Sequence, residues 1–160
     1  MFFMAYDFYA PTRVLFGAGQ LNHLHEQAMP GKKAMIVISN GKSTKANGYL
    51  DRTVAELKKA GVDSIIFDKV AANPLKSVVE DGARVARKNG IDFIVALGVG
   101  SVMDAGKVMA MFIPQPSEDL WDYAAGSTGK NKPLDKEPLP WVAITTTAGT
   151  GSEVDAAGVI

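Results

Sequence analysis

The chain has 160 residues and a mass of 17.0 kDa, and 47% of its residues are hydrophobic and 21% charged. This length allows one ordinary domain or one domain with an incomplete neighbour, and the apolar content argues against disorder. Seventeen basic residues balance seventeen acidic ones, so the zero net charge argues against a large nucleic-acid-binding surface. The absence of cysteine excludes disulfides, thiolate metal sites and cysteine nucleophiles.

The beginning of the chain carries no targeting signal. Residues 1–7 lack the basic region and the sustained apolar run of a signal peptide. No stretch reaches the roughly 20 consecutive apolar residues that a membrane-spanning helix needs. We therefore expect a cytoplasmic protein without a membrane partner.

The first half of the chain predicts short helices and buried strands. Residues 20–27 predict a short helix in which His23 and His25 point to different sides, so we expect no paired metal ligands there. The β-branched run at 34–38 predicts a buried strand. A helix is predicted over 45–60, where leucine and valine recur at helical spacing, and Gly61 is expected to end it.

The second half repeats this alternation. Strands are predicted at 64–67, 93–97 and 141–144, and helices at 75–89 and 101–112. Residues 114–140 hold five of the eight prolines and predict a long irregular segment that is functional or lies at an interface. Residues 159–160 are predicted to lie within a further strand.

This alternation predicts an α/β fold with a mostly parallel sheet and helices on both faces. Ligands bind such sheets at the carboxyl ends of the strands. Three loops are expected there, and all are rich in glycine, serine and threonine: residues 39–44, 98–101 and 145–152. They are the main functional signal in the sequence.

The loop Gly98-Val99-Gly100-Ser101 lies between a predicted strand and a predicted helix. Glycines let a ligand approach the backbone, and the unpaired N–H groups of a helix N-terminus suit a phosphate. Ser101 is either the helix cap or a phosphate ligand. Ser101 and Asp104 also have the spacing of a capping box, in which Asp104 simply caps the helix, with Lys107 as its ion-pair partner.

Gly41, Lys42, Ser43 and Thr44 imitate the end of a P-loop. The first glycine of that motif would fall at Ile36, within the strand, so a Walker-type nucleotide site is rejected. The segment is either a polar turn or a pocket for a nucleotide ribose. Residues 39–43 contain no acid, which favours NADP over NAD because a free 2′-hydroxyl is usually bound by an acid.

Residues 145–153 form the most unusual stretch, with five hydroxyl side chains and two glycines directly after a strand. Such a turn suits a pyrophosphate or a ribose. It reads T-T-T-A-G-T-G-S-E, and residues 98–107 read G-V-G-S-V-M-D-A-G-K. Together with Asn73-Pro74 and the segment from Phe8 to Gly17, these motifs resemble the iron-containing (group III) alcohol dehydrogenases along the whole chain.

The resemblance implies a Rossmann-like, dehydroquinate synthase-like N-terminal domain over residues 1–160 that binds NAD or NADP. It implies a pyrophosphate cradle at the 98–101 loop, with Asp104 near the nicotinamide. It also implies a loop at 41–44 that faces the adenosine ribose. The remaining residues implied for the cofactor site are Asn73, Thr146, Thr147, Thr150 and Ser152.

Three residues depart from the family pattern: Val99 replaces a glycine, Thr145 a proline and Asp155 a threonine. The family's metal ligands, one Asp and three His, belong to a helical domain that we expect to be missing here. We therefore expect NADP as cofactor, NAD less so, with iron bound only by that domain, and a fragment inactive by itself.

Two alternatives remain open. One is a relative of glycerol dehydrogenase or dehydroquinate synthase, against which the threonine motif argues. The other is a non-catalytic nucleotide-binding or interaction module that self-associates through the surface left by the missing domain.

Overall fold

The computed structural model describes residues 9–126 and 128–160. A four-stranded parallel sheet forms the centre of this part of the chain. Its strands are β1 (Lys33–Ser39), β2 (Asp63–Val70), β3 (Phe93–Gly98) and β4 (Trp141–Thr145). They lie in the order β2-β1-β3-β4, and each neighbouring pair is parallel. The four predicted strands and the α/β class are confirmed. The predictions for residues 1–7 and Phe8 lie outside the described residues.

The helices connect these strands. They are α1 (Ser43–Ala46), α2 (Tyr49–Lys59), α3 (Lys76–Asn89) and α4 (Gly100–Phe112), with 3-10 segments at Gln20–Glu26 and Leu120–Asp122. None of the helices in the described ranges is long and apolar enough to span a bilayer. The cytoplasmic location stays a prediction.

The sheet has an apolar core on each face. Successive residues of β1 alternate between the two cores, so Met35 and Val37 pack with α3 and α4, whereas Ile36 packs with α2 and the first 3-10 segment. Residues 34–38 are fully buried because both faces are covered. The prediction of helices on both faces is confirmed.

The helix predicted over 45–60 is in fact two helices. Gly48 adopts a left-handed conformation with φ of 69°, which separates α1 from α2. The apolar periodicity begins at Leu50, so it supports α2 alone. The prediction was wrong about the first turn because it passed over the Asn47-Gly48 turn signal.

Residues 114–126 and 128–140 are irregular, as predicted, apart from the short 3-10 turn. Gln115, only 3% exposed, holds this segment in place. The Gln115 side chain accepts hydrogen bonds from the backbone N–H groups of Asp135 and Lys136 and donates to the Lys136 carbonyl. The strand predicted at 159–160 is wrong, because residues 146–160 form turns, bends and irregular backbone and belong to no strand.

The topology fixes where a ligand can bind. From β1 the chain passes to β2 on one side and then to β3 on the other, so the direction of the strand order reverses between β1 and β3. Ligands of open α/β sheets bind at the carboxyl edge beside such a reversal. The loops after β1, β3 and β4 all lie at this edge.

Candidate functional site

The loops after β3 and β4 are in direct contact. Gly98 pairs with Thr145 at the end of the two strands, and the Thr146 N–H donates a 2.9 Å hydrogen bond to the Gly98 carbonyl. Two residues further on, Gly100 faces Thr150: a Cβ atom built on Gly100 would lie 3.6 Å from Thr150 Oγ1. The two predicted phosphate-binding loops therefore share one edge.

The first turn of α4 fits a phosphate group. Its N-cap is Val99, whose carbonyl accepts from the N–H groups of Val102 and Met103, and no side chain caps this end of the helix. The positive end of the helix dipole and its first N–H groups are therefore left for an anion. The capping-box interpretation of Ser101 and Asp104 is wrong, because Ser101 lies within the helix rather than at its cap.

Asp104 has a partner far away in the sequence. Its Oδ1 atom accepts a 2.6 Å hydrogen bond from the hydroxyl of Ser152, which is 4% exposed. The ion pair predicted with Lys107 is present, with 3.6 Å between Lys107 Nζ and Asp104 Oδ1. Asp104 therefore joins α4 to the end of the 145–152 loop.

The two glycines of the 98–101 loop have different roles. A Cβ atom on Gly98 would approach Val102 Cγ2 to 2.9 Å, so Gly98 is needed for packing of α4 against the end of β3. A Cβ atom on Gly100 would make only ordinary contacts. Because Gly100 has no side chain, space is left beside the start of α4. The side chain of Val99 is 43% exposed.

The loop after β1 follows the strand that is paired with β3. Extending the β1–β3 register, in which Val37 pairs with Ala96, places Ser39 beside Gly98. Gly41, Lys42 and Ser43 are all exposed. They are accessible to a ligand that also reaches the start of α4.

Sequence reasoning missed Asp68 at this loop. Its carboxylate lies 2.6 Å from Lys45 Nζ, and the hydrogen bond from Lys45 holds the pKa of Asp68 below its ordinary value. Asp68 is two residues from the end of β2, next to the 39–44 loop. The sequence does contain the signal: an acid near the end of the neighbouring strand and a lysine in the short helix α1.

Asn73 is exposed and adopts a left-handed conformation with φ of 54° in the turn after β2. In the described part of the chain it makes no hydrogen bond to the other three loops. Thr147 and Thr150 are also exposed, and the Thr145 hydroxyl donates 2.9 Å to the Thr147 carbonyl. The cofactor roles of these residues stay predictions.

Two cavities flank β4. The larger, of ≈ 1200 Å³, is lined by residues of the 11–30 segment, by β4 and by Thr145–Ala148. The smaller, of ≈ 630 Å³, is bordered by Thr150 and Gly151. The loops at 41–43 and 98–101 line neither of these two cavities.

The described residues do not fit a metal ion. No group of three His, Cys, Asp or Glu side chains within 9–126 and 128–160 could hold one. His25 instead lies 2.5 Å from Glu56, and His23 lies 3.0 Å from Glu26. These side chains therefore offer no three-ligand site for the iron that the family resemblance implies.

Comparison with known proteins identifies the family. The family model described as iron-containing alcohol dehydrogenase matches residues 11–160. The chain is 34% identical over 155 residues to the probable NADH-dependent butanol dehydrogenase 1 of Bacillus subtilis, covering 97% of this chain and 38% of that protein.

Solved structures support the same family assignment. The archaeal Red Sea brine pool alcohol dehydrogenase ADH/D1, bound to NZQ, superposes with a TM-score of 0.84 and 32% identity over 96% of this chain and 40% of its own. Sulfoacetaldehyde reductase from Bifidobacterium kashiwanohense, in complex with NAD+, superposes with a TM-score of 0.78 and 30% identity over 94% and 38%.

The chain thus spans about two fifths of the length of the relatives it matches. The family match covers nearly all of the chain, and the relatives share its Rossmann-like fold. The resemblance drawn from the glycine and threonine motifs is confirmed, and the chain belongs to the iron-containing alcohol dehydrogenase family.

Proposed function

We propose that this chain is the nicotinamide dinucleotide-binding part of an alcohol dehydrogenase that oxidises an alcohol to an aldehyde or ketone with NAD(P)+. The observation that carries the proposal is the contact between the two loops. The bond from Thr146 to Gly98 holds a hydroxyl-rich turn beside the uncapped start of α4. A relative bound to NAD+ and another named NADH-dependent support a nicotinamide cofactor.

The residues at this edge have distinct proposed roles. The N–H groups of Gly100 and Ser101 would donate to the pyrophosphate, whose negative charge the helix dipole stabilises. The hydroxyls of Thr146, Thr147 and Thr150 would donate to phosphate or ribose oxygens. Asp104, already held by Ser152, would accept a hydrogen bond from the carboxamide of the nicotinamide.

The metal would supply Lewis-acid polarisation of the alcohol oxygen when bound. The described residues of this chain offer no three-ligand group for it. We therefore propose that these 160 residues bind the dinucleotide without turning over an alcohol.

For the cofactor's ribose we propose a preference for NADP. The loop at 39–44, which is exposed from 40 to 43, contains no acid to accept from a 2′-hydroxyl. The neighbouring carboxylate of Asp68 is paired with Lys45, and Lys42 is exposed. The names of the relatives mention NADH and NAD+ instead, so the direct comparison of the two cofactors decides this point.

The experiment is a fluorescence titration of the chain with NADPH and, separately, with NADH. Gly100→Val should weaken both by roughly tenfold or more, because a branched side chain would fill the space beside the helix start; tenfold corresponds to about 1.4 kcal/mol. The matched control is Ser77→Val, which places the same side chain in the exposed first turn of α3. Equal affinity for wild type and Gly100→Val would contradict the site.

A second candidate function, a self-associating module, has one observation in its favour. Two large apolar side chains that line the cavities beside β4 are exposed, Phe16 at 95% and Tyr9 at 84%. Apolar surfaces of this kind mark interaction sites. Light scattering over a concentration series tests it: a constant monomer mass would contradict self-association.

A further inference from the structure

The lysine at position 107 is unusual for its burial. Its side chain is 8% exposed, although lysine is almost never buried without a partner. It lies three residues after Asp104 on α4, and its ammonium group lies 5.8 Å from the ring centroid of Trp141 in β4. The ammonium group is thus enclosed between α4 and β4.

Asp155 supplies the principal negative charge for this lysine. Its carboxylate makes a direct ion pair with Lys107 Nζ, whereas Asp104 Oδ1 lies 3.6 Å away. The hydrogen bond from Lys107 holds the pKa of Asp155 below its ordinary value. The same carboxylate oxygen accepts from the Ala157 N–H at 3.1 Å.

The segment after the 145–152 loop lies along one face of α4. It is attached at Ser152 to Asp104, at Asp155 to Lys107, and at Gly158. A Cβ atom on Gly158 would approach Val108 Cγ2 to 2.6 Å, so the two backbones are close. The loop itself is exposed from 145 to 150.

We propose that Lys107 and Asp155 form a latch that holds the threonine–glycine loop, residues 145–152, in the position from which it faces the start of α4. Both residues are positioning residues, and neither contacts the cofactor. That the latched loop binds a dinucleotide rests on the proposed function.

The contacts define what happens when the latch opens. In Asp155→Asn the buried ammonium group keeps Asp104 as its one charged partner among the described residues. Lys107 is then drawn towards Asp104 Oδ1, the atom that accepts from Ser152. The loop loses the ion pair between Asp155 and Lys107 directly. It also loses the hydrogen bond between Ser152 and Asp104, because Lys107 then competes with Ser152 for Asp104 Oδ1.

The test measures amide hydrogen exchange of the full chain. Asp155→Asn should speed exchange of the Thr146 amide, which donates to the Gly98 carbonyl, by roughly tenfold, in proportion to the loss of a charge-assisted hydrogen bond, while β1 and β3 keep wild-type rates. Asp155→Glu should restore protection, because it keeps the charge at a half-exposed position. The matched control Asp81→Asn removes an ion pair of 2.7 Å with Lys69 and should leave the loop unchanged.

Cofactor titration separates the latch from the proposed function. In a chain that binds dinucleotide, Asp155→Asn should weaken binding by roughly tenfold and Asp155→Glu should not. If wild type binds no dinucleotide, the proposed function fails, and the exchange rates still decide the latch. Wild-type exchange of the Thr146 amide in Asp155→Asn would overturn the latch, as would a uniform rise that includes β1 and β3.

Discussion

The imidazole Nδ1 of His25 lies 2.5 Å from Glu56 Oε2, and the other oxygen of this carboxylate lies 2.5 Å from Lys59 Nζ. The Glu56 side chain is 3% exposed. Hydrogen bonds from Lys59 and then from His25 lower the pKa of Glu56 from 4.5 to about 2. The carboxylate thereby joins the first 3-10 segment to α2. Leu24, a residue of this 3-10 segment, packs in the same core as α2.

This relationship predicts a pH dependence of stability. A carboxyl group whose pKa is lowered by folding stabilises the folded chain above its unfolded pKa, and this contribution is lost as the pH falls through the folded pKa. Glu56→Gln should therefore unfold at lower urea concentration than wild type at pH 7. The difference should shrink between pH 4.5 and about 2, the interval set by the two pKa values. Urea unfolding at a series of pH values measures it.

The control for this prediction is Glu137→Gln, which changes an exposed carboxylate that makes no ion pair in the described part of the chain. Glu137→Gln should unfold at the same urea concentration as wild type at every pH. A constant difference between Glu56→Gln and wild type down to pH 2 would contradict the assigned pKa shift.

Two glycines inside helices should respond differently to alanine. A Cβ atom on Gly106 would lie 2.8 Å from Ala96 Cβ in β3, which cannot move without shifting the strand. A Cβ atom on Gly82 would meet the end of the Met109 side chain at 2.6 Å, which has several torsions to rotate. Gly106→Ala should lower the free energy of unfolding by about 1–3 kcal/mol. Gly82→Ala should cost less, because the end of the Met109 side chain can rotate away; the helix propensity of alanine, about 1 kcal/mol better than glycine, favours both variants equally.

Chemical denaturation of both variants checks this pair, and each serves as the control of the other. A Gly82→Ala variant less stable than Gly106→Ala would show that the core around Met109 is stiffer than the contact of α4 with β3.

The strands could be predicted because buried parallel strands are continuous apolar runs, as at 34–38, and need only local information. The break at Gly48 was also local, and an analysis of turn signals would have found it. The hydrogen bond between Asp104 and Ser152 is not a local feature, because Ser152 lies 48 residues away and the two residues meet only in the folded chain. A capping box uses the same residue types at short range, so the sequence alone could not separate the two roles.

The same limit applies to the loop after β1. Its lack of an acid is visible in the sequence, but the pair between Lys45 and Asp68 depends on the parallel register of β1 with β2. The charge that a ligand meets there is therefore a property of two neighbouring strands. Without the fold, Lys42 and Lys45 are equivalent candidates for a phosphate ligand; with it, Lys45 already has a partner.

This distinction predicts the effect of Lys42→Ala. If Lys42 contacts a 2′-phosphate, the variant should bind NADPH roughly tenfold more weakly, because a charge-assisted hydrogen bond contributes about 1.5–3 kcal/mol and part of it is lost to solvent at an exposed site. Its affinity for NADH should stay within about twofold of wild type. The control is Lys58→Ala, an exposed lysine of α2. Equal losses for the two cofactors would place Lys42 away from the 2′-position.

Arg87 is expected to be the most sensitive arginine of the chain. Its guanidinium group donates to the backbone carbonyls of Phe112 and Ile113 at the end of α4 and to Gln115, with distances of 2.8 to 3.0 Å. It also lies 5.1 Å from the ring centroid of Phe112. These carbonyls have no partner within the helix, so one planar group satisfies several acceptors at once.

Arg87→Lys should lower the free energy of unfolding by about 1–3 kcal/mol, because an ammonium group cannot reach these acceptors in the same geometry. The matched control is Arg84→Lys on the same helix, whose guanidinium lies 3.5 Å from Asp81 and whose side chain is 57% exposed. It should change stability by less than about 0.5 kcal/mol. Urea unfolding of both variants measures the difference. Equal effects would mean that the end of α4 is held by the packing of Phe112 rather than by the guanidinium group.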